Sequence, residues 1–533
     1  MERVEQWFGE RTNIMTTLRS WRDRAAPDHW SSLLGQIAVA SLIVCLLTGV
    51  FLAFFYDSST GTVVYDGAYE PMRGVEMSRA FDSTLRLSLD TRGGLLTRQL
   101  HAWSSSLMIA ALMLHILRVF FTGGFRKPRE LTWVLLFGVL ILGMAEGFTG
   151  HILPDDMLSG SSLAVLDGLL KALPAVGARL SFLVFQGGYP TAAVTTFYPL
   201  HVILLPAVLV ALVVVIGLLN TVHGPEQRTG PGRTERNVVG KPARATAVKS
   251  VGLFFIVTGA LTGIAATVTV NPVWLYGPAD PGNASAGGGA LWYLAFLDGA
   301  QRLVPPGWEV HWAGCTWALA ILVPLAVCAL FLLTAMIYPF IEAWITDDRQ
   351  ERRLLTRPRN APTRTGIGIA GVVFYAVLWL CAASDLIAWH FSLSVEQVVL
   401  VLQCLLVLGP VIGFTIAKRV CLGLQRKDRE IAVHGHESGR IVRMPGGGYA
   451  EVHQPVTPSE QWMLLSHERN EPLMLRPDQE GRIHLSDRIR VALSQWFFRD
   501  RFAPVMRPER HVPDDHTPAS VAGRAGPEAS AAS

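Results

Sequence analysis

The sequence predicts an all-α fold: a polytopic membrane helix bundle of eight transmembrane helices with a cytoplasmic C-terminal tail. Three observations carry this. Half of the 533 residues are hydrophobic and only 17% are charged, a balance that suits a membrane protein with a soluble tail. Eight apolar runs, near 33–56, 97–121, 131–153, 195–220, 249–270, 312–342, 366–388 and 396–418, are each close to the length that crosses a hydrocarbon core of about 30 Å. Lipid offers the backbone no partner, so each run must be a helix. The connecting segments alternate in charge. With the N-terminal arm placed in the cytoplasm, twenty-one Lys and Arg fall on its side and seven on the other, which puts both termini on the cytoplasmic side of a cell membrane.

In chain order, residues 1–32 form an interfacial arm, with Arg3, Arg11, Arg19, Arg22 and Arg24 among Trp7, Trp21 and Trp30. The arm lacks the short apolar core and small-residue site of a cleavable signal peptide. Residues 33–225 hold four helices, 226–248 make a basic cytoplasmic linker, and 249–420 hold four more. Residues 161–185 are interrupted by Pro174 and Gly177 and read as short amphipathic helices on the outer surface, as do 287–305. Residues 421–505 are a mixed cytoplasmic tail segment. Residues 506–533, rich in Pro, Ala, Ser and Gly, should be disordered. The six cysteines form no C-x-x-C pair. That excludes a c-type haem attachment and an iron–sulfur pattern, and no disulfide framework is expected. The net charge of +4 sits in the loops, and no nucleic-acid partner is expected.

The chemistry is concentrated in Arg98–Arg118, RQLHAWSSSLMIAALMLHILR. His101 and His115 are fourteen residues apart, so on one helix they point within about 40° of each other and lie about 21 Å apart along the axis. Histidine within a membrane is a functional hypothesis, because lipid leaves its ring nitrogens without partners. The alternative is two polar side chains that hydrogen-bond across the bundle. His201, two residues after Pro199, stands near the outer end of the fourth helix, as His101 does on the second. Two imidazoles from facing helices can ligate one haem iron. Gly35 and Gly49 on the first helix and Gly150 at the end of the third would let a porphyrin approach. Arg98 and Arg118 bracket the histidines, as partners of haem propionates or as interfacial anchors.

The chain resembles cytochrome b of the quinol:cytochrome c reductase, the cytochrome bc complex, in its actinobacterial form. The resemblance runs from about residue 20 to 458. It rests on RQLHAW…LHILRVFFTGGFRKPRELTW (98–133), EGFTGHILPDDMLSG (146–160), YPLHVILLPA (198–207) and GPGRTERNVVG (230–240). It continues in NPVWLYGP (271–278), CLGLQRKDREIAVHG (421–435) and GGGYAEVHQP (446–455). It implies haem b bound within the first four helices and menaquinol as substrate. It also implies a Rieske iron–sulfur subunit, a c-type cytochrome subunit and a terminal cytochrome oxidase as partners in a dimeric complex. The outer haem iron would be held by His101 and His201, with Gly49 and Gly150 beside it.

The chain departs from this pattern in three places. The inner haem iron would take His115 and a histidine fourteen or fifteen residues after His201, where Val215 and Ile216 stand. His223 lies about 10 Å too far along the helix to replace it. The family's third-helix glycine, fourteen residues before Gly150, is Leu136. The carboxylate of the family's quinol-site motif is Leu291, in the run Ala290, Leu291, Trp292, Tyr293. Tyr293 remains, His151 stands where the family usually has tyrosine, and Asp155 and Asp156 lie close by as carboxylates expected to be solvated. Candidate catalytic residues are therefore Tyr293, His151 and Asp155. With one haem near the outer face, half the membrane would lack a carrier, and the alternative function is a one-haem relay or assembly scaffold.

Overall fold

The computed structural model describes residues 24–187, 192–280, 282, 289, 291–465, 471–476 and 483–499. Most of the basic, tryptophan-bearing arm expected at 1–32, and all of the tail expected to be disordered at 506–533, lie outside them. Among the described residues, eight helices are long and apolar enough to cross a membrane. They are Leu33–Ala53, Gly94–Thr122, Glu130–Ile152, Ala193–His223, Ala243–Thr267, Leu319–Thr346, Pro362–Cys381 and Val395–His434, here called the first to the eighth span. The protein is a multi-pass, all-helical membrane protein.

The second and third spans form the centre. Ile109, Leu112, Ile116, Leu136, Phe137 and Leu140 are buried there, against Ala38 and Leu42 of the first span and Leu209 of the fourth. The fourth span shows the opposite pattern: Val214, Val215, Leu218 and Val222 are exposed, as expected for a helix whose outer face meets lipid. Two polar contacts cross between spans: Trp133 Nε1 donates to Ala335 O at 3.0 Å, and Arg364 and Glu342, both about 95% buried, form an ion pair.

Two ends are distinguishable. At one, the basic loops join. Ala25–Ala26 pairs with Lys241–Pro242, Gln227–Arg228 pairs in parallel with Leu354–Leu355, and Arg352 N donates to Lys127 O at 2.8 Å. Asp28 accepts from Lys241 at 2.7 Å and Lys249 at 2.8 Å, and these lysines hold its carboxyl down at about 2. At the other end Met157 N donates to Gly277 O at 3.1 Å and Ala279 N to Asp155 O at 2.9 Å. The four basic segments summed from the sequence thus share one side.

Several boundaries differ from expectation. Residues 312–318, counted with the sixth span, belong instead to a hairpin of Glu309–Trp312 and Cys315–Ala318. Its turn, Ala313–Gly314, has positive φ at both positions, so composition alone misplaced an apolar but β-turned segment. The eighth helix runs sixteen residues past its expected end, to His434, because nothing breaks it before Gly435 at φ 87°. The fourth span contains a π-turn over Leu200–Leu204 in which Leu205 N donates to Leu200 O. Pro206 has no N–H to give Val202, and the wider turn accommodates that gap. The interrupted 161–185 segment is two helices, Met157–Lys171 and Gly177–Phe185, and 287–305 contains Ala295–Arg302.

Candidate functional site

The histidines of the second and fourth spans meet. The rings of His101 and His201 stand 6.2 Å apart, centre to centre, at 75°. With about 2 Å for a metal–imidazole bond and about 1 Å from ring centre to nitrogen, two imidazoles on one iron stand about 6 Å apart. The π-turn sits on His201 and sets its place on the helix, and such turns gather at functional positions.

Each ring is held at Nδ1. His101 Nδ1 lies 3.0 Å from Cys45 O and 3.0 Å from Thr48 Oγ1. His201 Nδ1 lies 3.0 Å from Glu146 O, 3.1 Å from Glu146 Oε1 and 3.2 Å from Thr149 Oγ1. A carbonyl only accepts, so the proton in each ring is on Nδ1 and Nε2 keeps its lone pair. Second-sphere acceptors of this kind fix ligand tautomer and orientation. Reading the sequence missed Cys45, Thr48, Glu146 and Thr149 in this role. The signal was present for Glu146, a carboxylate inside an apolar run.

The glycines line the same rings. A β-carbon on Gly49 would lie 3.2 Å from His101 Cε1, and one on Gly150 would lie 2.5 Å from His201 Cε1. Arg98 donates through Nη2 to Asn271 O at 2.5 Å, while its buried Nη1 has no hydrogen-bond partner. Two Nε2 lone pairs, two glycine notches and a spare guanidinium N–H fit a haem with an anionic edge.

The other end of the second span is different. A β-carbon on Gly35 would lie 3.2 Å from His115 Cε1, so this notch repeats. His115 Nδ1 is buried and has no hydrogen-bond partner. Leu136 is buried in the apolar core and Ile216 packs against that core, while Val215 faces outward, 40% exposed. Arg118 is ion-paired with Glu226 and lies 3.3 Å from Ser31 Oγ, so its charge already has a carboxylate.

Of the expected catalytic residues, Tyr293 is buried, and a β-carbon on Gly147 would collide with its hydroxyl. His151 follows Gly147 by one turn on the same side of the third span. Its Nε2 lies 3.2 Å from Ser162 Oγ. Trp379 Nε1 of the seventh span holds Trp292 O at 2.9 Å, and Leu291 packs against the apolar core. Asp155 and Asp156, expected to be solvated, are 6% and 2% exposed. Asp156 caps Met157–Lys171, accepting from Ser159 N at 2.8 Å. Asp155 accepts from Ser78 Oγ at 2.6 Å, and burial pushes its carboxyl up to about 6. The backbone pairing of 155–157 with 277–279 buries both, a long-range contact that local composition does not signal.

Eight spans with facing imidazoles on the second and fourth define a helical membrane protein of the cytochrome b class. Residues 106–278 match the family model described as "Cytochrome b(N-terminal)/b6/petB". Relatives named "Cytochrome bc1 complex cytochrome b subunit" extend the likeness over the chain. That of Streptomyces coelicolor is 41% identical over 504 residues, 93% of this chain and 92% of its own. Those of Corynebacterium diphtheriae and Mycobacterium tuberculosis are each 41% identical over 83% of this chain and 82% and 81% of their own. A solved structure, "Hyperthermophilic respiratory Complex III", shares the fold with a TM-score of 0.57 at 18% identity, covering 78% of this chain and 99% of its own. The chain belongs to the cytochrome b subunits of the bc1-type quinol:cytochrome c reductase, as a divergent actinobacterial member. Membership implies the use of haem b and a place in respiratory electron transfer.

Proposed function

We propose that the chain is the cytochrome b subunit of a respiratory menaquinol:cytochrome c reductase and that it holds a haem b between His101 and His201. The observation that carries this is the 6.2 Å separation of the two rings, each fixed through Nδ1. Haem b bound there supplies a one-electron carrier near the outer membrane face. Gly49 and Gly150 leave room for its plane, and Arg98 Nη1 offers a charged N–H to a propionate.

Oxidising a quinol to a quinone releases two protons and two electrons. Tyr293 and His151, on one side of the third span, form the wall where a quinol hydroxyl would give up a proton. Asp155, with its raised carboxyl, can take a proton and pass it toward the outer surface. The carboxylate expected from the family motif is replaced by Leu291, so this path differs from the family's.

The inner haem lacks a second protein ligand. Val215 and Ile216 cannot ligate iron, Leu136 fills the notch, and Glu226 neutralises Arg118. These five positions favour a second reading, a one-haem relay or assembly scaffold without a complete quinone cycle. On the reductase reading the partners are a Rieske subunit, a c-type cytochrome subunit and a terminal oxidase, in a dimeric complex in the cell membrane; on the second the chain relays electrons to another partner or serves assembly. The excess of Lys and Arg in the loops of one side supports a cytoplasmic location for that side and for both termini.

The test is His101→Ala and His201→Ala in the purified chain. Each should abolish the b-type absorbance of the outer haem, in reduced-minus-oxidised spectra. Unchanged spectra would refute the ligand assignment.

A further inference from the structure

The helix Leu485–Phe498 lies close to the chain's end and crosses the basic-side ends of three spans. Arg490 donates to Trp344 O at 2.7 Å and to Asp347 at 2.8 Å, at the end of the sixth span. Thr363, opening the seventh, donates to Phe497 O at 2.7 Å. Trp496 stacks on Phe414 of the eighth at 5.8 Å and 12°. A helix fastened to three neighbouring span ends runs across the bundle rather than along it.

Its depth follows from the spans. Phe414 is nineteen residues after Val395, about 28 Å along a helix, close to the thickness of a hydrocarbon core of about 30 Å. The first cations of that span, Lys418 and Arg419, come one turn later. Trp496 is therefore level with the boundary between acyl chains and headgroups.

The helix has three faces. Val491, Ser494, Phe497 and Phe498 are buried against the protein, within a sector of about 120°. Leu485, Ile489, Leu493 and Trp496 are 73%, 48%, 37% and 41% exposed and make a second sector of about 80°, centred roughly 140° from the first. Arg488, Gln495 and Arg499 are exposed between them. A helix wholly in water would have no use for the second sector. One at the boundary needs all three: protein on one side, acyl chains below, headgroups and water above.

We propose that Leu485–Phe498 is an in-plane membrane helix. The stripe Leu485, Ile489, Leu493 and Trp496 enters the leaflet at the basic end, and Arg488 and Arg499 meet anionic phosphates. The occupant of the stripe is lipid. The stripe continues the exposed apolar surface of the sixth and eighth spans, Phe340, Trp344, Ile412 and Ile416, and the arginines beside it match a negatively charged leaflet. The helix ties the sixth, seventh and eighth spans together from the lipid side.

The test uses the full chain in nanodiscs of phosphatidylcholine and phosphatidylglycerol. Ile489→Cys, Leu493→Cys and Gln495→Cys are treated with a charged, membrane-impermeant maleimide, and labelling is read peptide by peptide so that the native cysteines do not interfere. Gln495→Cys should label at least tenfold faster than the other two. In parallel the unaltered chain is irradiated in nanodiscs carrying a phospholipid with a diazirine in its acyl chain, and adducts should appear on the 485–496 peptide. Equal labelling at 489 and 495 would place the stripe in water and overturn the proposal. Protection at 489 with no lipid adduct would assign the stripe to a protein surface, such as a second copy of the chain, and would overturn it as well.

Discussion

Glu146 and His201 are joined twice: the imidazole Nδ1 lies 3.0 Å from the Glu146 carbonyl and 3.1 Å from its carboxyl oxygen. The facing imidazole, His101, has a carbonyl and a threonine hydroxyl and, among the described residues, no carboxylate at its Nδ1. The two facing imidazoles, proposed to share one haem iron, are thus held unequally, and the carboxylate side is the one nearer Tyr293, which rests over Gly147. Glu146→Ala should leave His201 held by two oxygens and broaden or shift the b-type absorption band while haem content falls by less than half. A spectrum and haem content indistinguishable from the parent would show that the side-chain contact is idle.

The glycine notches are unequal in tolerance. Gly150→Ala places a β-carbon 2.5 Å from His201 Cε1, too close for any relaxed contact, whereas Gly49→Ala places one 3.2 Å from His101 Cε1. Gly150→Ala should lose most of the outer haem and Gly49→Ala only part of it. Haem content by pyridine haemochrome checks the order.

Asp155 supplies a pH dependence. Its carboxyl titrates at about 6 in the fold against an ordinary 3.8, so the folded chain holds that proton more tightly. The stabilisation this provides is complete below about 3.8 and is lost as pH rises toward 6. Asp155→Asn, which cannot ionise, should flatten the fall in Tm between pH 4 and 6 that the parent shows. If Asp155 also takes the quinol proton, parent turnover should rise through pH 6 and the Asn variant should lack that rise.

The buried pair Glu342–Arg364 joins the sixth and seventh spans. Removing one partner leaves the other charge buried without its ion-pair partner, at a cost of about 3–5 kcal/mol. Glu342→Gln and Arg364→Met should each lower thermal stability strongly, and the double variant should recover part of the loss. Additive losses would show that the two charges do not depend on each other.

The inner site should be repairable. Ile216→His combined with Leu136→Gly restores a ligand and a notch opposite His115 and Gly35. The double variant should carry one more haem per chain than the parent, with a second midpoint potential. Added haem that survives His115→Ala would place it elsewhere.

Much of the fold was legible because hydrocarbon thickness fixes span length, and the basic loops located one common side. The fourteen-residue spacings of His101 with His115 and Gly35 with Gly49 came through as matching pairs, His101 on Gly49 and His115 on Gly35. What did not come through depends on backbone detail or distant contact. The π-turn at His201 answers to the missing N–H of Pro206. The burial of Asp155 and Asp156 depends on a segment more than a hundred residues away. The hairpin at 309–318 is apolar enough to pass for helix until its turn geometry is seen.

The central claim is an intact outer haem site beside an incomplete inner one, and haem per polypeptide measures it most directly. Pyridine haemochrome against quantitative amino-acid analysis, followed by a redox titration, should give one haem per chain with a single midpoint potential. Two haems with two resolved potentials would contradict it, and would mean that a group other than Val215 or Ile216 completes the ligation opposite His115.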